Sequence, residues 1–322
     1  MKIKFGYVAM SVLLKNASPS RTVTVKSFSA LEEKNPGSGL YKVRKAAEEN
    51  LDNSLRLLKH NAGNSIAVYR FSSKLIPLAT HPLLSEWDYV TELLPRFKAI
   101  GEFVKEHGQR VSFHPDHFTL INSPRQEVWQ ASLADLDHHC LMLEAMQLDH
   151  RSKLVIHVGG GYQNKENARA RFCDNWQLLS ERVRNRIVLE NDDRVYTAAD
   201  VLGLCQELHI PMVLDIHHFA CNNEGEDLHE LLPAIFQTWQ GSGLPPKIHV
   251  SSPKSADQPR HHHDFVNPDD LYPFLSLARE ITPELDVMVE AKQKDLAMFQ
   301  LVKDLAGYPS MNHSGPASLI MA

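Results

Sequence analysis

Two hydrophobic periods alternate along the chain. Short runs rich in Val, Ile and Leu recur at Ile3–Met10, Ser65–Phe71, Arg110–His114, Lys153–Val158, Arg186–Glu190, Pro211–Ile216, Pro246–Val250 and Asp286–Glu290. Runs with so little internal polarity are expected for strands buried on both faces. Between them, apolar positions recur every three or four residues. In Tyr41–Asn61 they are Val43, Ala47, Leu51, Leu55 and Leu58, the spacing of one helical face. Similar amphipathic segments cover Glu86–His107, Pro124–Leu148, Lys165–Val183, Thr197–Leu208, Leu228–Trp239, Pro268–Ile281 and Lys294–Leu305. Eight strands alternating with eight helices predict an α/β fold, a single (β/α)8 TIM barrel over residues 1–307, a fold of typically ~250 residues plus insertions. A doubly wound open sheet is the alternative. Leu13–Gly39 reads as a polar insertion after the first strand. Tyr308–Ala322, rich in Pro, Gly and Ser and without period, reads as a disordered C-terminal tail.

The strand-like runs end in one kind of chemistry. They close on His114 in RVSFHP, His157 in KLVIHVGG, Glu190 in RIVLEND, Asp215 and His218 in PMVLDIHH, His249 in PKIHVSS and Glu290 in DVMVEAK. Parallel strands deliver their last side chains to one face of a barrel, so these residues are expected to converge at the C-terminal ends. This strand-end placement favours the barrel, because an open sheet gathers its site at one crevice. Buried carboxylates without counter-charge would each cost several kcal/mol. Imidazole and carboxylate without thiolate suits Zn, Mn or Fe. The ligands are too many for one ion and enough for two or three. Clustered divalent ions are suited to phosphoryl chemistry. The run His261 to His263 adds further imidazoles on the loop after His249.

Composition changes this picture only in part. The 322 residues carry a formal charge of −5, where a simple electrostatic DNA binder would be basic. Bound divalent cations would offset that charge. Loops after the strands carry Arg21, Lys26, Arg70, Lys74, Arg125, Lys165, Arg169, Lys254, Arg260, Lys292 and Lys294, a ring able to meet phosphates. Cys140, Cys173, Cys205 and Cys221 are widely spaced with no CxxC, so reduced thiols and a cytoplasmic location are expected. No apolar run approaches the ~18 residues of a membrane span, and MKIKFGYVAM reads as a first strand and not as a signal peptide. Neither a membrane nor an obligate protein partner is indicated.

In order, FGYVAMS, AAEENL, FSSKLIPLATHP, FHPDHFTLINSP, VIHVGG, LENDDR, LDIHHF, KIHVSS and VMVEAKQKD resemble the UV damage endonucleases from about Lys2 to Asp304. These are barrel enzymes distantly related to endonuclease IV. The resemblance implies nicking of UV-damaged double-stranded DNA immediately 5′ of cyclobutane pyrimidine dimers, (6–4) photoproducts and some abasic sites. It implies 3′-hydroxyl and 5′-phosphate ends, and manganese, with zinc as the other option. It further implies a metal shell of His114, His157, Glu190, Asp215, His218, His249, His263 and Glu290, with Glu190 as the bridging carboxylate. His117 and Phe118 fall where some members have Gln–Tyr and are expected to wedge into the helix and probe the lesion. Tyr7 and His81 match family positions near the DNA. Ser11 stands where some members have Asn.

Lys247 lies two residues before His249, on the same strand face. An ammonium facing divalent ions is unfavourable, so it is expected to be deprotonated, turned away or carboxylated. Alternatively it sits one layer below and pairs with an acid. Two rival functions remain at this stage: a metal-dependent sugar isomerase of the same barrel type, and a non-catalytic damage-binding protein.

Overall fold

The computed structural model describes residues 1–322. Eight strands form the barrel: β1 (Lys2–Val8), β2 (Val68–Arg70), β3 (Arg110–Phe113), β4 (Lys153–His157), β5 (Ile187–Glu190), β6 (Met212–Asp215), β7 (Lys247–Val250) and β10 (Glu284–Val289). Two more, β8 (Pro253–Ser255) and β9 (Gln258–His262), make a separate antiparallel hairpin. The last two are β11 (Met311–Gly315) and β12 (Ser318–Met321). Each barrel strand pairs in parallel with its neighbour, and β10 closes the ring on β1. The closed ring excludes the open sheet. The expected helices surround it, with shorter additions that include Ile216–Cys221 and the single turn Pro82–Leu84. Val25–Lys34 is helical inside the segment read as a polar insertion, capped by Thr24. Helix Lys165–Leu178 stops early and a short helix, Glu181–Arg184, follows.

Alternation along each strand sorts the side chains into two sets. One set faces the helices. It includes Ile3, Phe5 and Tyr7 of β1, all fully buried. The Tyr7 hydroxyl donates to Asn61 Oδ1 on helix Ser38–Gly63 at 2.8 Å. The other set fills the barrel in layers. Val155, Val188 and Val213 form an apolar layer with Trp239, which comes from the turn before β7. Arg110 lies over the Trp239 ring at 4.9 Å and pairs with Asp286 at 2.7 Å. These residues close the floor. The metal-ligand residue types lie above them, at the opposite end.

Tyr308–Ala322 is ordered, contrary to the expected disordered tail. Strand β12 pairs antiparallel with the first half of β1, Lys2–Lys4, while β2 pairs with the second half, Gly6–Val8. The short β2 leaves the side of the lower half of β1 away from β10 unpaired, and β12 takes that place. Met311, Ala317, Leu319 and Met321 are buried. Four apolar anchors spread through a polar segment leave no period to read, and the pairing that orders them is not local.

Candidate metal centre

The register of the sheet builds the centre. His157 on β4 is opposite Glu190 on β5, and Asp215 on β6 is opposite His249 on β7. Paired residues in a parallel sheet share a face, so these four side chains point into one space. His114 and Glu290 follow directly on β3 and β10. His218 arrives from the short helix Ile216–Cys221, whose N-cap is Asp215. The Asp215 Oδ1 accepts the His218 backbone N–H at 2.8 Å, which fixes both side chains.

Glu190 is the hub. Its carboxylate meets His114 Nε2 at 2.9 Å and His249 Nδ1 at 2.8 Å. His157 and His218 stand 3.9 and 3.8 Å away, and His249 also faces Glu290 at 3.1 Å. Three ligand groups, His114–His157–Glu190, Glu190–Asp215–His218 and Glu190–His249–Glu290, each gather their donor atoms within 4.8 Å of one another. All three contain Glu190.

The electrostatics of the centre call for cations. Burial pushes the Glu190 carboxyl up, but His249 and His157 and the hydrogen bonds from His114 and His249 outweigh it and hold it well below the usual range. Burial likewise works against His249, yet Glu190 and Glu290 push it up to about 9. Asp215, Glu190 and Glu290 overcome burial to push His218 up to about 9 as well. Protons on imidazoles here do the work a bound cation would do. The buried Asp215 Oδ2, His157 Nδ1 and His249 Nε2 have no hydrogen-bond partner. Orphaned donor atoms of this kind, with an oxygen- and nitrogen-only ligand set, fit divalent metal ions.

Two sequence expectations are corrected. His263 is exposed, with its Nδ1 against its own loop at Phe265. His262 is the member of the triple that turns inward. Its ring lies 6.4 Å from that of His218, and its Nδ1 donates to the Glu290 carbonyl at 2.8 Å. Strand β9 selects the residue, and a run of three His carries no phase without the hairpin. Tyr7 is packed beneath the rim as described, so it does not reach a ligand at the mouth. The alternation Ile3, Phe5, Tyr7 against Lys2, Lys4, Gly6 was the signal for that.

The remaining expected residues are placed as follows. Lys247 is buried one layer below His249, with Nζ 3.2 Å from Ser112 Oγ. Burial, then Arg110, lowers it well below the ordinary lysine range, against the pull of Asp286. Arg70 turns into the mouth and pairs with Glu290. His81 caps a single helical turn through Leu83 N–H and stands outside the cluster. His117 and Phe118 project from the loop after β3, the latter 69% exposed, with their rings 4.0 Å apart. Of the basic ring, Arg21, Lys165, Arg169 and Arg260 are held by Glu49, Asp200, Glu207 and Asp193. Sequence reasoning missed Asp295. It is fully buried and accepts from Ser11 Oγ and, at 2.9 Å, from Val12 N–H, so it ties down the loop after β1.

Comparison with known proteins bears on the family and the fold. The family model described as UV-endonuclease UvdE matches residues 3–320. A UV DNA damage endonuclease of Halalkalibacterium halodurans is 45% identical over 309 residues, covering 96% of this chain and 95% of that one. The UV DNA damage endonuclease of Bacillus thuringiensis subsp. konkukian is 40% identical over 319 residues, 99% of each chain. The crystal structure of SacUVDE superposes with a TM-score of 0.82 at 30% identity, covering 94% of this chain and 98% of that one. Endonuclease IV from Thermus thermophilus shares the fold, with a TM-score of 0.53 at 12% identity over 89% and 91% of the two chains. With a barrel whose strand ends converge on one buried carboxylate and a family match over nearly its whole length, this chain belongs to the UV-endonuclease UvdE family.

Proposed function

We propose that this chain nicks double-stranded DNA immediately 5′ of cyclobutane pyrimidine dimers and (6–4) photoproducts, and at some abasic sites, by metal-assisted phosphodiester hydrolysis. Membership of the family makes it an endonuclease of UV-damaged DNA, and the cut position and products are the finer part of the reading. The observation that carries it is the convergence of six His and acidic side chains on buried Glu190. Two or three divalent ions, most readily Mn with Zn as the other option, would be held by His114, His157, Glu190, Asp215, His218, His249, His262 and Glu290. When bound, such ions generate a nucleophile from water at neutral pH and neutralise the leaving oxygen.

The chain's own residues do the rest. Glu190 holds the ligand groups at a common centre. Arg70, beside Glu290 at the mouth, meets the scissile phosphate. His117 and Phe118 enter the base stack, and kinking brings the lesion-flanking phosphate down to the centre. Lys247, buried one layer below His249 and held well below the ordinary lysine range by burial, would add no positive charge to the floor of the site if uncharged or carboxylated. Water adds to phosphorus and the bond to the 3′ oxygen breaks. The upstream strand leaves as a 3′-hydroxyl and the downstream strand keeps a 5′-phosphate.

The test is a duplex with one cyclobutane dimer and labelled ends, incubated with Mn²⁺. The expected product is a single break directly 5′ of the dimer with a ligatable 3′-hydroxyl. Glu190→Gln should lower nicking below about a tenth while the circular dichroism spectrum is unchanged. A break elsewhere, or none with Mn²⁺, Mg²⁺ or Zn²⁺, would overturn the reading.

A further inference from the structure

The hairpin β8–β9 poses a structural problem. It leaves the top of β7, runs through solvent and returns carrying His262. Its residues are exposed except His262, so it has no core of its own. An isolated two-stranded hairpin is marginal in water. Its position must come from a few point contacts with the barrel. Arg260 Nε donates to the Asp193 carbonyl at 3.0 Å, and His263 N–H to the Ser252 carbonyl at 2.8 Å.

The buried contact is made by His217. This residue is 4% exposed and lies between the top of β6 and the hairpin. Its Nε2 is 2.6 Å from the Pro259 carbonyl oxygen on β9, and its Nδ1 is 2.5 Å from Ser251 Oγ at the end of β7. A carbonyl only accepts, so the ring proton is on Nε2 and Nδ1 accepts from the serine hydroxyl. The ring also packs 5.5 Å from that of His262. In turn, His262 gives its Nδ1 proton to the Glu290 carbonyl, which leaves Nε2 with a lone pair. That tautomer is the one a metal ligand needs.

We infer that His217 is a positioning residue: it pins β9 to the barrel through Pro259 and thereby holds His262 over the Asp215–His218 side of the centre. This rests on the reading of the centre as a metal site given above. His217 itself contacts no ion. Both its ring nitrogens are spent on the hairpin and on β7.

The consequence is a metal-binding defect without a metal-ligand change. His217→Leu keeps the ring's bulk and removes both hydrogen bonds. His217→Gln keeps a donor for Pro259. Titration of the metal-free protein with Mn²⁺, followed by the electron paramagnetic resonance of free Mn²⁺, reads the sites one by one. We expect His217→Leu to weaken one site by roughly ten- to a hundredfold. The site affected should be the one weakened in His262→Ala. The Gln variant should recover most of the affinity. The double variant His217→Leu/His262→Ala should bind no worse than His262→Ala alone. Hydrogen exchange of the metal-free protein supplies an independent readout. Amides of residues 253–263 should exchange faster in His217→Leu while those of the barrel strands keep their protection.

Wild-type Mn²⁺ affinity in His217→Leu would overturn the inference, as would losses that add to those of His262→Ala. Unchanged hairpin exchange would overturn it too. If His262→Ala itself bound Mn²⁺ normally, the ligand set proposed above would fail along with it. A normal His217→Leu beside a weakened His262→Ala would sink the positioning role alone.

Discussion

Glu190 and Phe118 represent the two kinds of residue at this site. The carboxylate of Glu190 is reached by four imidazoles and is buried, and its placement follows from strand register. Phe118 is an exposed aromatic on a loop, held by nothing but the chain and its His117 neighbour. Stacking on a base is worth about 1–3 kcal/mol, so Phe118→Ala should weaken binding to a dimer-containing duplex by about ten- to a hundredfold. Single-turnover nicking at saturating protein should fall less. Normal affinity with slow cleavage would place Phe118 in the chemical step instead. The candidate ligands His114, His157, Glu190, Asp215, His249 and Glu290 were legible because each closes a hydrophobic run. Residues off that pattern were not: His262 needed the phase of β9, and Asp295 lies five residues beyond the last strand end. Tyr7 was misread although β1 alternates plainly, because a motif position was given more weight than the face it occupies.

Elements differ in how far their own sequence specifies them. The barrel strands announce themselves as apolar runs. The β11–β12 hairpin does not, since its order depends on an unfilled edge of β1 more than three hundred residues earlier. Within β12 the two faces are distinct: Leu319 is fully buried and Ile320 is 45% exposed. Leu319→Ala should therefore destabilise the protein by about 2–5 kcal/mol. Ile320→Ala should stay within about 0.5 kcal/mol of wild type. Urea unfolding distinguishes the two. A neutral Leu319→Ala would mean that the hairpin contributes nothing to the barrel. The β8–β9 hairpin was missed for the same reason. Its strands are short and polar, and tertiary contacts alone fix them.

Across the whole molecule, the fold was legible because eight repeats of one pattern admit few arrangements, and His and acidic residues at nearly every strand end favoured the closed ring. The charge distribution was less so. A ring of basic loop residues reads as a phosphate track, yet several members are neutralised by partners the sequence does not reveal. The barrel floor was not foreseen at all. Trp239, the valine layer and the Arg110–Asp286 pair pack across that end, and the candidate metal centre lies at the other, toward the mouth. An ion that enters or leaves by the mouth crosses the rim on which the duplex would lie. A bound substrate is then also a stopper. Mn²⁺ release to excess chelator should slow at least roughly tenfold when a dimer-containing duplex with an uncleavable methylphosphonate at the cut site is present, because the mouth is covered. An unchanged release rate would reveal a second exit through the floor. If the stopper holds, the order in which this protein meets its ions and its DNA matters: a molecule that docks empty stays empty until it lets go.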